Sequence, residues 1–561
     1  MKPATAIVRQ LLIAAAICVT PTASFSAAAR GDELLPPETP IHEAIDHYID
    51  QRLSESDVTP APTVDDANLL RRTMLDLVGR PPTVVEVQSY LPTSDPDKRT
   101  QLVDRLMGSP AFVRHQAEEF DALLMDGVRG DVREYLTAAL HEGYGWDRVF
   151  RDLLTGDSEF ASGDESSNDQ SKKVARSASQ FLRSRAGDLD KLANDTSVIF
   201  FGVNVSCARC HDHPLVPDWT QEHFFGMKSF FSRTFENGDF VGERDYGFVS
   251  YKTVSGKSMD ARLMFLTGAL ADEPPAPEPS EEEQKQEKKQ LEELKKNKQP
   301  PPPPAFSRRA QLVEVALRPG ENRYFSRAVV NQLFARLLGR GLVAPLDQMH
   351  PENLPSHPEL LDWLARDFVD HGYDVRRLMR GIVLSRAYAR SSRWDEEGRQ
   401  PSRSLFAVGI VRPLTPRQYA MTLRLASASP DQFPADISPE DLERRMEGIE
   451  NSARGLSDLF ERPGRDFQVG VGEALLLSNG ERIERELLRD SGETLVGKLK
   501  TIDDPTELIE TAVWNVYGRP PSSDEVQVLT EYLASRHDRP LEARRDLVWA
   551  LLASSECRFN Y

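Results

Sequence analysis

NLLRRTMLDLVGRPPTVVEVQSYL, residues 68–91, decides the fold class. Leu69, Leu70, Met74, Leu75, Leu77 and Val78 recur at roughly helical spacing, which predicts a helix from Asn68 to Val78. Gly79-Arg80-Pro81-Pro82 stops it, and Thr83-x-x-Glu86 opens another with a capping box. Near the other end Gly518-Arg519-Pro520-Pro521 and Ser522-x-x-Glu525 repeat this punctuation. In both copies a valine follows the glutamate (Val87, Val526) and a Tyr-Leu pair comes soon after. The agreement points to an internal duplication, or to reuse of one helical unit.

A second recurrence runs through LVDRLMGSPAF at 102–112, LMRGIVLSRAY at 378–388 and LVWALLASSEC at 547–557. Each shares apolar positions and has a serine at the eighth place, as a helix running into a terminating turn would. Cys557 then falls in the slot of Phe112 and Tyr388, which reads as a buried small hydrophobe. Ser356-x-x-Glu359 and Thr415-Pro416-x-Gln418 predict two further capped helix starts.

Two stretches break the helical pattern. Residues 233–270 carry β-rich runs, Phe248–Tyr251 and Leu263–Leu266, among glycines and charges, and predict a few strands. ADEPPAPEPS, a Glu/Lys-rich run and QPPPPP then fill 271–305, a composition that buries no core and reads as a solvated linker. A short charged helix around Glu281–Lys298 fits inside it. The expected protein is mainly α: a helical multi-domain chain with a small β-rich segment and a disordered Pro/Glu/Lys-rich linker. Its parts are a leader at 1–29, helical domains at 30–232 and 306–561, a β-rich segment at 233–270 and the linker at 271–305.

Residues 1–29 read as an address. Lys2 and Arg9 precede the apolar run LLIAAAICVT, and small residues cluster from Ala23 to Ala29, the pattern of a secretory signal peptide. The bulky Ile17 before Cys18 argues against a lipoprotein cysteine. No other apolar run approaches the twenty residues of a membrane helix, so a periplasmic or extracellular chain is expected. The formal charge is −19, and two units more negative once Lys2 and Arg9 leave with the leader. So acidic a chain disfavours nucleic acid and anionic lipid as partners. Only Cys207, Cys210 and Cys557 remain after the leader, too few for a disulfide framework.

VIFFGVNVSCARCHDHPLVPDW, residues 198–219, holds the motif with chemistry. Two cysteines three apart on a helical turn present both thiols to one side, suited to two thioether bonds with a porphyrin. The next residue, His211, is then placed as the proximal iron ligand. This is a c-type haem attachment signature, with Cys207 and Cys210 attaching haem c and His211 bound to its iron. Zinc on Cys207, Cys210, His213 and His223 is an alternative, and a disulfide at the two cysteines is another. Asp212 and His213 read either as groups that orient His211 or as turn residues. Trp219, Phe224-Phe225 and Phe230-Phe231 read as core or as the wall of a haem pocket. A sixth iron ligand would come from Met227, Met259, Met264, Met349 or His350.

GRGLVAPLDQMHPENLPSHPELL, residues 339–361, gathers Asp347, Met349, His350, Glu352, Asn353 and His357 in a Pro-rich loop. It reads as a functional loop or as a helix connection with caps and turns. No nucleotide loop, GxSxG elbow or HExxH helix is present.

LLRRTMLDLVGRPPTVVEVQSYL and FFGVNVSCARCHDHPLVPDWTQEHFFGMKSFF resemble the first domain of planctomycete-type secreted proteins that join a cytochrome-c-like domain (the PSCyt type) to a second domain of unknown function (the PSD type). The run from Asn322 to Ser392 resembles the second domain, and LLASSECRFNY resembles the family's chain end. Gln348-Met349-His350 replaces a more acidic and aromatic run, Leu354 stands where proline is common, and 464–479 lacks a cysteine-containing stretch. The resemblance implies a secreted protein whose single candidate haem site is Cys207, Cys210 and His211. Two functions are expected in competition: electron transfer by a c-type haem protein, with a redox partner protein, or a non-redox binding or scaffold role in the cell envelope. The second would serve polysaccharide breakdown, with structural zinc or a disulfide at the CxxCH.

Overall fold

The computed structural model describes residues 34–156, 169–213, 216–217, 219–275, 277–395, 399–463 and 470–561. The leader at 1–29, with Cys18, lies outside the described residues, as do 464–469. Among the described residues the chain is mainly helical, and its strands form three two-stranded antiparallel ribbons. No helix there is long and apolar enough to cross a membrane.

The duplicated unit takes the same form twice. Helix Asp66–Val78 ends on Gly79 at φ 73°, and Thr83 with Glu86 forms the capping box of Val84–Tyr90. Helix Pro505–Tyr517 ends on Gly518 at φ 70°, and Ser522 with Glu525 forms the box of Ser523–Ser535. In each copy the arginine after the glycine folds back onto the box glutamate through two hydrogen bonds. Arg80 lies 2.8 Å from both Glu86 oxygens, and Arg519 lies 2.9 and 2.8 Å from those of Glu525. Each arginine also donates to the carbonyl of the next proline at 3.1 Å. The paired arginine therefore locks the turn between the two helices.

The recurring serine is a helix cap in all three places. Ser109, Ser385 and Ser554 accept from the N–H groups of Phe112, Tyr388 and Cys557 at 3.3, 3.2 and 3.3 Å. Those three side chains are buried, and burial pushes the Cys557 thiol up to about 12, as suits an inert core residue. Thr415 and Gln418 form their expected box. Ser356 does not cap: its hydroxyl lies 3.1 Å from His357 Nδ1, and the next helix, Pro358–Asp370, starts from His357 instead.

The β-rich segment is smaller than its composition suggests. Thr234–Asn237 pairs with Phe240–Glu243, and Ser250–Lys252 pairs with Ser258–Asp260. Leu263–Leu266 forms no strand. All four side chains are buried, and the backbone makes one bridge, Met264 to Leu270. The linker is not structureless either. Helix Glu281–Lys296 begins with a capping box at Ser280 and Glu283 and buries none of its residues. It touches the first ribbon where Asn237 donates to the Leu291 carbonyl at 3.1 Å.

Packing does not follow the linker. One apolar core runs from Ile41 to Val408 and draws on both helical regions. Helix Leu189–Phe201 lies against Arg323–Leu338, and Gln332 Nε2 donates to the Ile199 carbonyl at 2.9 Å. A second core collects Leu414 to Cys557 and reaches back to Leu75. The change of core thus falls near residue 410 and not in the linker, because the linker interrupts the sequence without interrupting helix contacts.

Candidate functional site

Asp188 caps helix Leu189–Phe201, its carboxylate accepting from the N–H groups of Asp190 and Lys191. Gly202, at φ 67°, ends that helix in the left-handed region and sends the chain across the 339–361 loop. Val203 pairs antiparallel with Gln348. Asn204 N donates to the Asp347 carbonyl and Met349 N to the Gly202 carbonyl, both at 2.9 Å. The two polar stretches singled out in the sequence, 143 residues apart at Asn204 and Asp347, thus share one short β-like seam.

Beyond the seam, Ser206–Arg209 forms a single 3-10 turn. Val205 and Ala208 are buried and anchor it, while Cys207 and Cys210 are free and exposed. Cys207 lies within the turn and Cys210 caps its end, three residues on. The Arg209 side chain hydrogen-bonds Cys210, and that contact with the Asp190 charge holds its guanidinium above the ordinary arginine range. Asp190 also pairs with Lys228 at 2.5 Å.

His211 is exposed, with Nδ1 2.7 Å from the Asp212 carbonyl. An imidazole that donates through Nδ1 keeps Nε2 for a metal. Asp212 therefore positions His211 through its main chain, while its carboxylate accepts from Gln221 N at 3.1 Å. Gln221 clamps the turn: Nε2 donates to the Arg209 carbonyl at 3.2 Å, and Oε1 accepts from Val254 N at 3.0 Å. The hairpin tip carrying the exposed Val254 is thereby held beside the CxxCH turn.

The donor set fits covalent haem. Two free, exposed cysteines stand three residues apart on and just after one turn, and the histidine directly after them is oriented by a carbonyl. The zinc quartet is not assembled in the same way. His223 Nδ1 lies 3.3 Å from both Thr220 N and its hydroxyl, as the cap of helix Gln221–Ser229. Among the described residues, no three His, Cys, Asp or Glu side chains converge as a metal-binding group.

His213 is buried, its N–H donating to the Trp219 carbonyl at 2.7 Å. Its ring stands edge-on to Trp219, with centres 5.4 Å apart, and 6.3 Å from the ring of His350. Burial, then the nearby His350 and His211, lowers its pKa, and burial lowers that of His350. Of the other candidate iron ligands, Met227, Met264 and Met349 are buried, and Met259 sits in the second ribbon. Trp219, Phe224, Phe230 and Phe231 are core residues, and Phe225 stacks on Tyr251 at 4.2 Å. Asn353 Nδ2 donates to the Gln348 carbonyl at 2.9 Å and shapes the loop, whereas Glu352 is exposed. His357 is buried against Phe406, which lowers its pKa to about 4. Gln221 and Gly202 were not singled out from the sequence. The Gly ending a helix just before the motif was the available signal for one, and nothing local marked the other.

Residues 44–236 match the PSCyt2 family model, described as a protein of unknown function (DUF1549), and 308–452 match the PSD1 model, described likewise (DUF1553). No curated protein and no solved structure matches the chain. The CxxCH turn falls in the first matched region and the 339–361 loop in the second. The seam at Val203 and Gln348 therefore joins the two, and the chain belongs to the family that couples a PSCyt2 domain to a PSD1 domain.

Proposed function

We propose that this chain is an exported c-type haem protein that transfers electrons outside the cytoplasm. The observation that carries the reading is the turn itself: two free, exposed cysteines three residues apart, followed at once by an imidazole oriented through Nδ1. Cys207 and Cys210 form the thioethers, and His211 presents Nε2 to the metal. Haem bound there supplies a one-electron iron couple. Gln221 and the Asp347–Met349 backbone hold the turn in place, and exposed Val254 offers apolar surface beside it. A redox partner protein would approach this exposed side.

Expression with a c-haem maturation system and export tests the reading. Haem should stay on the chain through a denaturing gel. Cys207→Ser and Cys210→Ser should weaken attachment, and His211→Ala should change the ligation of the iron while some haem remains. Loss of all haem on denaturation, while a control cytochrome matures, would favour the non-redox binding or scaffold role.

A further inference from the structure

Helices Val471–Asn479, Glu481–Leu487 and Pro540–Leu552 border a groove of about 710 Å³ beside the second core. Trp549 stands in it 38% exposed, and its indole N–H donates to the Leu477 carbonyl at 2.7 Å, so the ring is fixed yet uncovered. Val471 and Leu475 are 77% and 55% exposed, and they share one helix face with Ser478 on the groove wall. The same surface continues past Asp546, which accepts from the Tyr532 hydroxyl at 2.6 Å. Tyr532 lies on helix Ser523–Ser535, which buries no residue, although its counterpart Val84–Tyr90 in the duplicated unit buries Val87 and Tyr90. Continuous apolar surface rimmed by polar side chains marks an interaction site.

Charge decides which partner fits. The whole chain carries −19, so two copies repel unless they meet on a face without that excess. The groove is such a face: Arg485, Arg489 and Arg545 are matched by Glu484, Glu542 and Asp546. Arg485, Arg489 and Glu542 already have ion-pair partners within four residues, at Glu481, Glu493 and Arg539. Arg545 and Glu484 are exposed and have neither a hydrogen bond nor an ion pair among the described residues. A face that meets itself across a two-fold axis must offer both signs, because each residue meets its opposite number twice.

We propose that this groove is a two-fold interface between two copies of the chain, in which Arg545 of each copy pairs with Glu484 of the other around Trp549. Trp and Arg are the side chains that such contacts favour. The contact is independent of haem attachment, since the CxxCH turn is anchored in the other core. Sedimentation equilibrium of the full-length chain tests it, and a dimer is expected for the wild type. Arg545→Glu sets like charges against each other twice across the axis, as does Glu484→Arg, and each should weaken self-association by about tenfold or more. Mixed in equal amounts, the two variants should form a heterodimer, because one pair is then native and the other reversed. The double variant, with both pairs reversed, should dimerise by itself. Circular dichroism and Tm check that the variants fold. If a single variant misfolds, Leu475→Ser takes its place, removing apolar surface from the same face, and should also weaken the dimer. A monomeric wild type, a folded single variant that dimerises as well as wild type, or a mixture that stays monomeric would overturn the proposal.

Discussion

Glu86 and Glu525 hold the same place in the duplicated unit but differ in burial. The Arg80–Glu86 pair is 8% and 21% exposed, against 27% and 29% for Arg519–Glu525. Glu86→Ala strands a buried guanidinium and should cost about 3–5 kcal/mol. Glu525→Ala loses a cap and a more solvated pair and should cost about 1 kcal/mol. Urea unfolding of the two variants checks the order, and equal losses would mean that burial does not separate the copies. The hydrogen bonds of Arg519, then those of Ser522, hold Glu525 down at about 2 from an ordinary 4.5. A depressed carboxylate stabilises the fold fully above its unfolded value, and that contribution is lost as pH falls through the folded value. The stability gap between wild type and Glu525→Gln should therefore shrink from pH 4.5 to 2; a gap constant over that range contradicts the pairing. Thiol chemistry separates the cysteines as well. In the haem-free chain iodoacetamide should label Cys207 and Cys210 while Cys557 stays unlabelled until unfolding, read by peptide mass spectrometry.

Among the elements, the short connection after helix Leu189–Phe201 matters most for the site. A Cβ on Gly202 would stand 3.1 Å from the Leu346 carbonyl, in a conformation that disfavours any side chain. Gly202→Ala should cost about 1–2 kcal/mol from the left-handed backbone and loosen the seam to Asp347–Met349. Thermal unfolding and faster amide exchange at Asn204 and Met349 would show it; unchanged exchange would mean that the seam does not depend on this glycine. Helix starts were legible in the sequence because Thr83, Ser522 and Thr415 act within three residues of themselves. Leu263–Leu266 misled because a short run buried on all sides has no period to read. Ser356 misled because its hydroxyl is taken up by the neighbouring His357 ring, 3.1 Å from Nδ1. The CxxCH turn was legible as local spacing. Its contact with the loop of His350 was not, since only tertiary packing brings Val203 to Gln348.

For the whole molecule, the linker looks like a divide in composition, yet the core from Ile41 to Val408 crosses it. Trypsin should cut first in the exposed helix Glu281–Lys296, where no side chain is buried. The two fragments should then leave a gel-filtration column together without denaturant, because Leu189–Phe201 still packs on Arg323–Leu338. Separate elution would show that the halves close their own cores. The proposed electron transfer, in turn, needs a covalent group on the exposed turn at the edge of this shared core. The most direct test is tandem mass spectrometry of the denatured, protease-digested chain after export with c-haem maturation. Haem should be found on the peptide carrying Cys207 and Cys210, joined through both sulfurs; that peptide with two free thiols, alongside a control cytochrome that matured, would contradict the account.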